Sequence, residues 1–367
     1  MNKFINLMTI TTRVEDPRQK KKVKYPIDEV IGLVLFSSLG NCNEWTEMEV
    51  FCNSHKECLE KYFELKNGIP SHDTFQRVMG MIDPKVIQQL QIQWNEYLNT
   101  KDGEGIKRIL NIDGKTMRGS RTKDKNPLHV VSAWCDEEGF CLGQTTVKEK
   151  QNEIVAIPEL LDTLNIKGMV VTIDAMGTQV DIAKKIVSKK ADYVLAVKGN
   201  QGTLHQDLID YFKEEKFLND IKINGNYKKT TEKSHGQIET REYYQTSDIA
   251  WIDNKSRWKN IKTIGIVEKT INKENKISKE IRYYISSLNI DIELFSRSIR
   301  QHWKVEVMHW HLDVTFREDS NKTIEATANK NMNIIRKWAL GILKILDTGK
   351  KMSMKLKRFA ICTNPIK

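Results

Sequence analysis

Gly168-Met169-Val170-Val171-Thr172-Ile173-Asp174 is the stretch on which the fold turns. A nearly unbroken apolar run closing on an acid reads as a strand covered on both faces, as in a parallel α/β sheet. Working outward, Tyr193-Val194-Leu195-Ala196-Val197 reads as a second buried strand, and Thr178 to Lys189 between them has helical period. Upstream, Ile154, Ile157, Leu160, Leu161 and Leu164 mark a helix over Glu153 to Leu164. Earlier still come three apolar runs: Arg108 to Gly114, His129 to Trp134 and Phe140 to Val147. The polar segment Cys135-Asp136-Glu137-Glu138-Gly139 makes a hairpin of the last two.

The order is strand, strand, strand, helix, strand, helix, strand. Three meandering strands followed by alternating helix and parallel strand define a ribonuclease-H-like α/β arrangement. Residues 201 to about 290 interrupt it with a charged stretch, Lys213 to Lys233, and β-prone pieces at Thr240 to Gln245, Ile261 to Thr270 and Arg282 to Ser286. They read as a β-rich insertion. Helical period returns at Leu294 to Phe316 and again at Met332 to Leu346. The expected organisation is therefore an α-helical N-terminal domain (1–100), a catalytic domain (101–347) holding the insertion, and a loosely ordered basic tail (348–367). In the N-terminal part, Arg18, Lys20, Lys21, Lys22 and Lys24 precede Pro26 and an apolar helix from Ile27. Ser71, behind Pro70, is a plausible N-cap for a helix with Phe75, Val78 and Met79 inward and His72, Gln76 and Arg77 outward. Such a helix suits a helix-turn-helix reader of DNA; a surface helix of a bundle accounts for it equally well.

The 367 residues hold 59 Lys and Arg against 48 Asp and Glu, a net charge of +11. That surplus favours a polyanionic partner, because each cation laid on a phosphate releases counterions. The most apolar stretch, Ile27 to Leu39, contains Asp28, Glu29 and Gly32 and is too short to span a bilayer. Met1 to Thr12 lacks a secretory leader pattern. The six cysteines show no CxxC spacing, so reduced thiols in a cytoplasmic protein are the simplest expectation.

Catalytic groups in open α/β sheets gather at the carboxyl ends of parallel strands. Asp113 and Asp174 each close an apolar run and each precedes a small residue, Gly114 or Ala175. In the order above, the first and fourth strands are neighbours, so the two carboxylates adjoin. Their repulsion is relieved by a divalent cation, and oxygen donors suit Mg²⁺ or Mn²⁺. The plainer alternative is a turn or N-cap role for each. A third ligand is expected from the helix after the insertion, where His302, Glu306, His309 and Asp313 form one polar row. Ile299, Trp303, Trp310 and Val314 form an apolar stripe beside it, with Val305, Met308 and Leu312 alongside. Zinc at His302, Glu306 and His309 is the weaker reading, since no HExxH occurs. Two cations about 4 Å apart serve in-line phosphoryl transfer without a covalent intermediate.

At these residues the chain resembles the bacterial insertion-sequence transposases of the H-repeat-associated family, within the DDE class. The resemblance rests on Asn67 to Phe75, Ile112 to Ser120, Asn152-Glu153-Ile154 with Ile157 to Leu161, Thr172 to Gln179 and Asp192 to Gln201. In the second half, His235 to Arg241, Arg282 to Ser287 and His302 to Asp319 carry it. It implies a two-ion Mg²⁺- or Mn²⁺-dependent enzyme, with Asp113, Asp174 and Glu306 as metal ligands, that cuts double-stranded DNA at element ends and joins it to target DNA. It also implies a homodimer or higher multimer, with no membrane partner. Lys115, Lys198, Arg241, Arg300, His302 and Arg77 become candidates for DNA contacts. The chain departs from the family in having Val307 where asparagine is usual, and Ile299, His302 and Asp313 where the wider class carries Tyr, Arg and Lys. Beyond Asp319 the basic residues thin to Lys322. These departures favour the competing reading, a transposase remnant that binds ends, or represses, without cutting. A ribonuclease-H-like nuclease unconnected with mobile elements is a third.

Overall fold

The computed structural model describes residues 14–19, 21, 23–98, 107–121, 126–135, 139–147, 153–234, 236–273 and 276–364. Lys20 and Lys22 of the basic run, the hairpin residues 136–138 and His235 lie outside them. The chain divides into two compact units. The first takes residues 1–104, 114–150 and 306–367; the second takes 105–113 and 151–305.

In the first unit, helices α1 (Ile27–Leu39), α2 (Trp45–Ser54), α3 (Lys56–Leu59), α4 (His72–Met81) and α5 (Pro84–Leu98) precede the sheet strands. Near its end, α11 (Ala326–Ile345) packs against α1, α4 and α5. Helix α11 is buried almost all round, from Met332 to Leu343, as a helix at the centre of a bundle must be. Its polar residues have inward work. Asn331 Nδ2 donates to Met79 O (2.7 Å) and Ile82 O (2.8 Å), covering carbonyls at the end of α4. Phe75, Val78 and Met79 are buried as the spacing requires, and Arg77 is exposed. Ser71 stands at the N-cap position of α4 but makes no side-chain cap; Glu49 instead accepts the His72 N–H at 2.8 Å. The tail is not loose throughout. Met354–Thr363 forms α12, with Lys357 and Arg358 buried.

Strand β1 (Ile109–Met117) is shared, passing from the second unit to the first between Asp113 and Gly114. It runs three residues beyond the Gly114 end expected from the apolar run. In the first unit it is followed by the antiparallel hairpin β2 (Leu128–Cys135) and β3 (Phe140–Val147), in the order β3-β2-β1.

The second unit continues with α6 (Glu153–Thr163), β4 (Val170–Ile173), α7 (Val180–Ser188) and β5 (Asp192–Val197). Next come α8 (Gly202–Lys213), α9 (Glu215–Ile223), β6 (Tyr227–Ser234), β7 (Gln237–Thr246), β8 (Thr263–Lys273) and β9 (Lys276–Ser286). Its sheet order is β1-β4-β5-β9-β8-β7-β6. The first three strands are parallel, and β9 joins β5 antiparallel, pairing Leu195 with Ile285. The insertion thus opens with two helices before its four strands, and the charged stretch at 213–233 forms helix and strand. Helix α10 (Ile292–Trp310) closes the unit as far as Val305. Phe295 and Ile299 from α10 share one core with Ile109, Val170, Val194, Tyr243, Val267 and Tyr284. Core strands and insertion strands therefore fold around the same apolar mass.

Candidate active site

Ile112 pairs with Ile173 across parallel strands β1 and β4. Asp113 and Asp174 follow those residues, so their backbones stand roughly 5 Å apart, the spacing of adjacent strands. Both are half-buried. Asp174 Oδ1 accepts the Gly177 N–H at 3.1 Å, the turn role that one aspartate would have in any protein. Further bonds brace this turn: Thr178 Oγ1 donates to Ala196 O (2.6 Å) and Asn200 Nδ2 to Ala175 O (2.6 Å).

Strand alternation sends Asn111 and Thr172 to the face that Asp113 and Asp174 use. Thr172 Oγ1 donates to Asn111 Oδ1 at 2.7 Å and lies 2.9 Å from His302 Nδ1. A hydroxyl has one proton, already given to Asn111, so His302 Nδ1 donates and Nε2 keeps its lone pair. Burial pushes the His302 pKa down to about 4; the Asp174 charge opposes this and Arg282 adds to it. The ring is neutral at ordinary pH. Asn111 Nδ2 is buried without a partner, a donor left unmet beside the aspartates. Sequence reading missed Asn111 and Thr172. Their signal was the polar residue two places before each aspartate in an otherwise apolar run.

Glu306 is exposed on α10, one helical turn after His302. Among the described residues, no cluster of three or more His, Cys, Asp or Glu side chains is arranged to hold a metal ion. The adjoining aspartates remain a pair of hard oxygen donors of the kind Mg²⁺ takes. Around Glu306, the expected apolar positions divide. Val305, Met308 and Leu312 are buried, while Trp310 and Val314 are exposed. Trp303 is half-buried, with Arg282 (4.1 Å) and Lys269 (4.8 Å) over its ring.

Of the six candidate DNA contacts, Lys198 and Arg77 are exposed. Arg300 is half-exposed and pairs with Glu232 at 2.9 Å. It borders an open groove of about 800 Å³ that Lys107, Arg297 and Lys304 also line. Arg241 is buried and paired with Glu239 and Glu232, and desolvation lowers its pKa. His302 is held by Thr172. Lys115 is buried in the first unit among Asp313, Glu318 and Asp319.

Comparison with known families settles the class. Residues 104–342 match the family described as "Transposase DDE domain", and residues 9–95 match the one described as "DDE_Tnp_1-associated". The chain belongs to the DDE transposase family. This transposase is 40% identical over 372 residues to "Putative transposase YncI" of Escherichia coli O157:H7, covering 98% of this chain and 92% of that one. It is 36% identical over 365 residues to "H repeat-associated putative transposase YhhI" of E. coli K12, covering 95% and 94%. A solved piggyBac transposase synaptic complex with hairpin DNA aligns at TM-score 0.41 and 12% identity, over 99% of the transposase and 77% of that chain. No helix among the described residues is long and apolar enough to cross a membrane.

Proposed function

We propose that this transposase cuts DNA at the ends of an insertion sequence and joins those ends to target DNA, on a ribonuclease-H-like core within residues 101–347. Asp113, Asp174 and Glu306 are the metal ligands, residues 1–100 serve end recognition, and the active form is a multimer on paired ends in the cytoplasm. The observation that supports this reading is the parallel register Ile112–Ile173, since Asp113 and Asp174 are the next residues on those adjacent strands. Two adjoining carboxylates repel, and a divalent cation is the partner that lets both stay ionised. The order β3-β2-β1-β4-β5, with β2–β3 antiparallel and β1, β4 and β5 parallel, supports the core assignment.

Divalent cations held by Asp113, Asp174 and Glu306 would supply activation of the attacking oxygen and stabilisation of the leaving oxygen in phosphoryl transfer. The chain's own residues supply the rest. The Asp174 turn fixes one carboxylate through the Gly177 N–H. Thr172 and Asn111 hold the His302 ring in one orientation, one turn ahead of Glu306. Because burial keeps His302 neutral, it adds no positive charge to compete for the carboxylates.

The test is nicking of DNA carrying the element's terminal repeats, in Mg²⁺ and in Mn²⁺. Asp113→Asn, Asp174→Asn and Glu306→Gln are each expected to lower cleavage by about a thousandfold or more while end binding persists. Variants that nick as fast as the parent would sink the assignment. End binding by the parent without cleavage in either metal would describe a protein that has kept the fold and lost the chemistry.

A further inference from the structure

Lysine is among the residues least often buried, yet Lys115 is buried in the first unit. Its Nζ lies 2.7 Å from Asp313 Oδ1, 3.0 Å from Glu318 Oε2 and 3.6 Å from Asp319 Oδ1. These three acids sit on two successive turns. Asp313 belongs to a π-helical turn, 311–315, that continues α10, and Glu318 and Asp319 belong to a 3-10 turn, 318–320. Arg317 joins the turns in the left-handed region, at φ 49°. The clamp has further parts. Glu318 Oε1 accepts from Asn333 Nδ2 at 2.7 Å and pairs with Arg336 at 3.5 Å. Asp319 Oδ1 accepts the Arg118 N–H at 3.0 Å. A Cβ on Gly119 would lie 2.6 Å from Asp319 O and 2.7 Å from Asn321 O, so the 118–120 turn rests directly on this segment.

Buried ion pairs rarely outperform apolar packing in stability; their best-attested use is to fix one arrangement among several. Here the arrangement fixed is that of the chain following Glu306. Asp313 is seven residues on from Glu306, about two turns further along the helix and its π-helical continuation. Lys115 stands two residues on from Asp113, on the same face of β1. Single π turns inside or at the end of α-helices are rare and recur at functional sites.

We propose that Lys115 is a positioning residue: by gripping Asp313 and the 318–319 turn it sets the rotation at which the end of α10 presents Glu306. The idea rests on the ligand role assigned to Glu306. Lys115 touches neither metal nor DNA; it acts through the acids it holds.

The test uses the full-length protein and Mn²⁺ alone, its free concentration followed by electron paramagnetic resonance. Melting temperature and end-DNA affinity are measured alongside. Lys115→Met is expected to weaken Mn²⁺ binding about tenfold, the scale of losing an outer-shell support, while end-DNA affinity stays at the parent's value. Lys115→Arg, which keeps the charge, is expected to recover most of that loss. Should Lys115→Met fail to fold, Asp313→Asn removes one arm of the grip at a half-exposed site, and Mn²⁺ binding is expected to weaken about threefold. Parent-like Mn²⁺ binding in the folded variant, with only the melting temperature reduced, overturns the proposal. So does a loss of end-DNA affinity in Lys115→Met, which would make Lys115 a phosphate contact. Asp174→Asn separates the two readings: if it binds Mn²⁺ and cuts like the parent, the ligand assignment itself fails. If it is inert while Lys115→Met matches the parent, only the positioning role is lost.

Discussion

Replacing Arg358 by methionine tests how firmly the C-terminal helix is tied to the first unit. The guanidinium is wholly buried and, among the described residues, serves main-chain and amide oxygens rather than a carboxylate. Nε and Nη2 donate to Ser38 O at 3.0 and 2.9 Å, and Nη2 also reaches Cys42 O (3.2 Å) and Asn43 Oδ1 (3.1 Å). Nη1 donates to Thr315 O, and the cation lies 4.1 Å from the Phe316 ring centre. One side chain therefore covers the end of α1 and the π turn that follows α10. Methionine fills similar space and leaves four buried oxygens unmet, at about 1 kcal/mol each. Losing the ring contact adds about 1 kcal/mol. Against this, the charge is held in burial that lowers its pKa to about 10, and its removal returns roughly 2 kcal/mol. The net loss is about 3 kcal/mol, or about 6–12 °C in melting temperature for a unit of this size. Calorimetry with a parallel urea titration reads it. Arg358→Lys, with three donors, should fall between. A methionine variant melting within about 2 °C of the parent would show that these oxygens find other partners at little cost.

Two further outcomes follow from local geometry. His72 Nδ1 lies 2.6 Å from Glu49 Oε2, and this hydrogen bond holds the His72 pKa above its ordinary 6.5; the His72 N–H and ring hold Glu49 below its ordinary 4.5. The histidine's contribution is complete below its unfolded value and fades as pH rises through the raised one. The glutamate's is complete above its unfolded value and fades as pH falls through the lowered one. Glu49→Gln should therefore destabilise most between pH 4.5 and 6.5 and less above, and a ring-proton titration should show the His72 midpoint falling. A parent-like midpoint refutes the pairing. In the second unit, a Cβ on Gly265 would strike Tyr244 O on the neighbouring strand and the Phe295 ring. Gly265→Ala should cost about 3 kcal/mol, since backbone cannot yield as a side-chain tip does; an unchanged urea midpoint would contradict it.

The core strands were legible because buried parallel strands are written as apolar runs, and Val170–Ile173 and Tyr193–Val197 could be little else. The aspartates followed, since each run ends on one. Other features were hidden for physical reasons. Helices α8 and α9 carry Lys213, Glu214, Glu215 and Lys216 at their junction, and a dense charge run masks helical period. Helix α12 looked like a solvated tail because the burial of Lys357 and Arg358 depends on carbonyls supplied from elsewhere in the chain. Trp310 and Val314 read as packing beside Val305, Met308 and Leu312, but only the latter three, with Ile299 from the start of the stripe, are buried. Lys115 looked like any other cation near the acids, because sequence does not say which acids a lysine will meet.

The way the insertion joins β5 has a consequence for self-association. A parallel sheet ending at β5 would show open amides and carbonyls along Tyr193, Val194 and Leu195, a template for fibril-like addition of another chain. Strand β9 closes that border, and three more strands carry the margin outward to β6, Tyr-Lys-Lys-Thr-Thr-Glu-Lys-Ser. Its lysines and hydroxyls are poor company for an incoming apolar strand. Excising the insertion to make a smaller enzyme would therefore trade a guarded margin for an adhesive one.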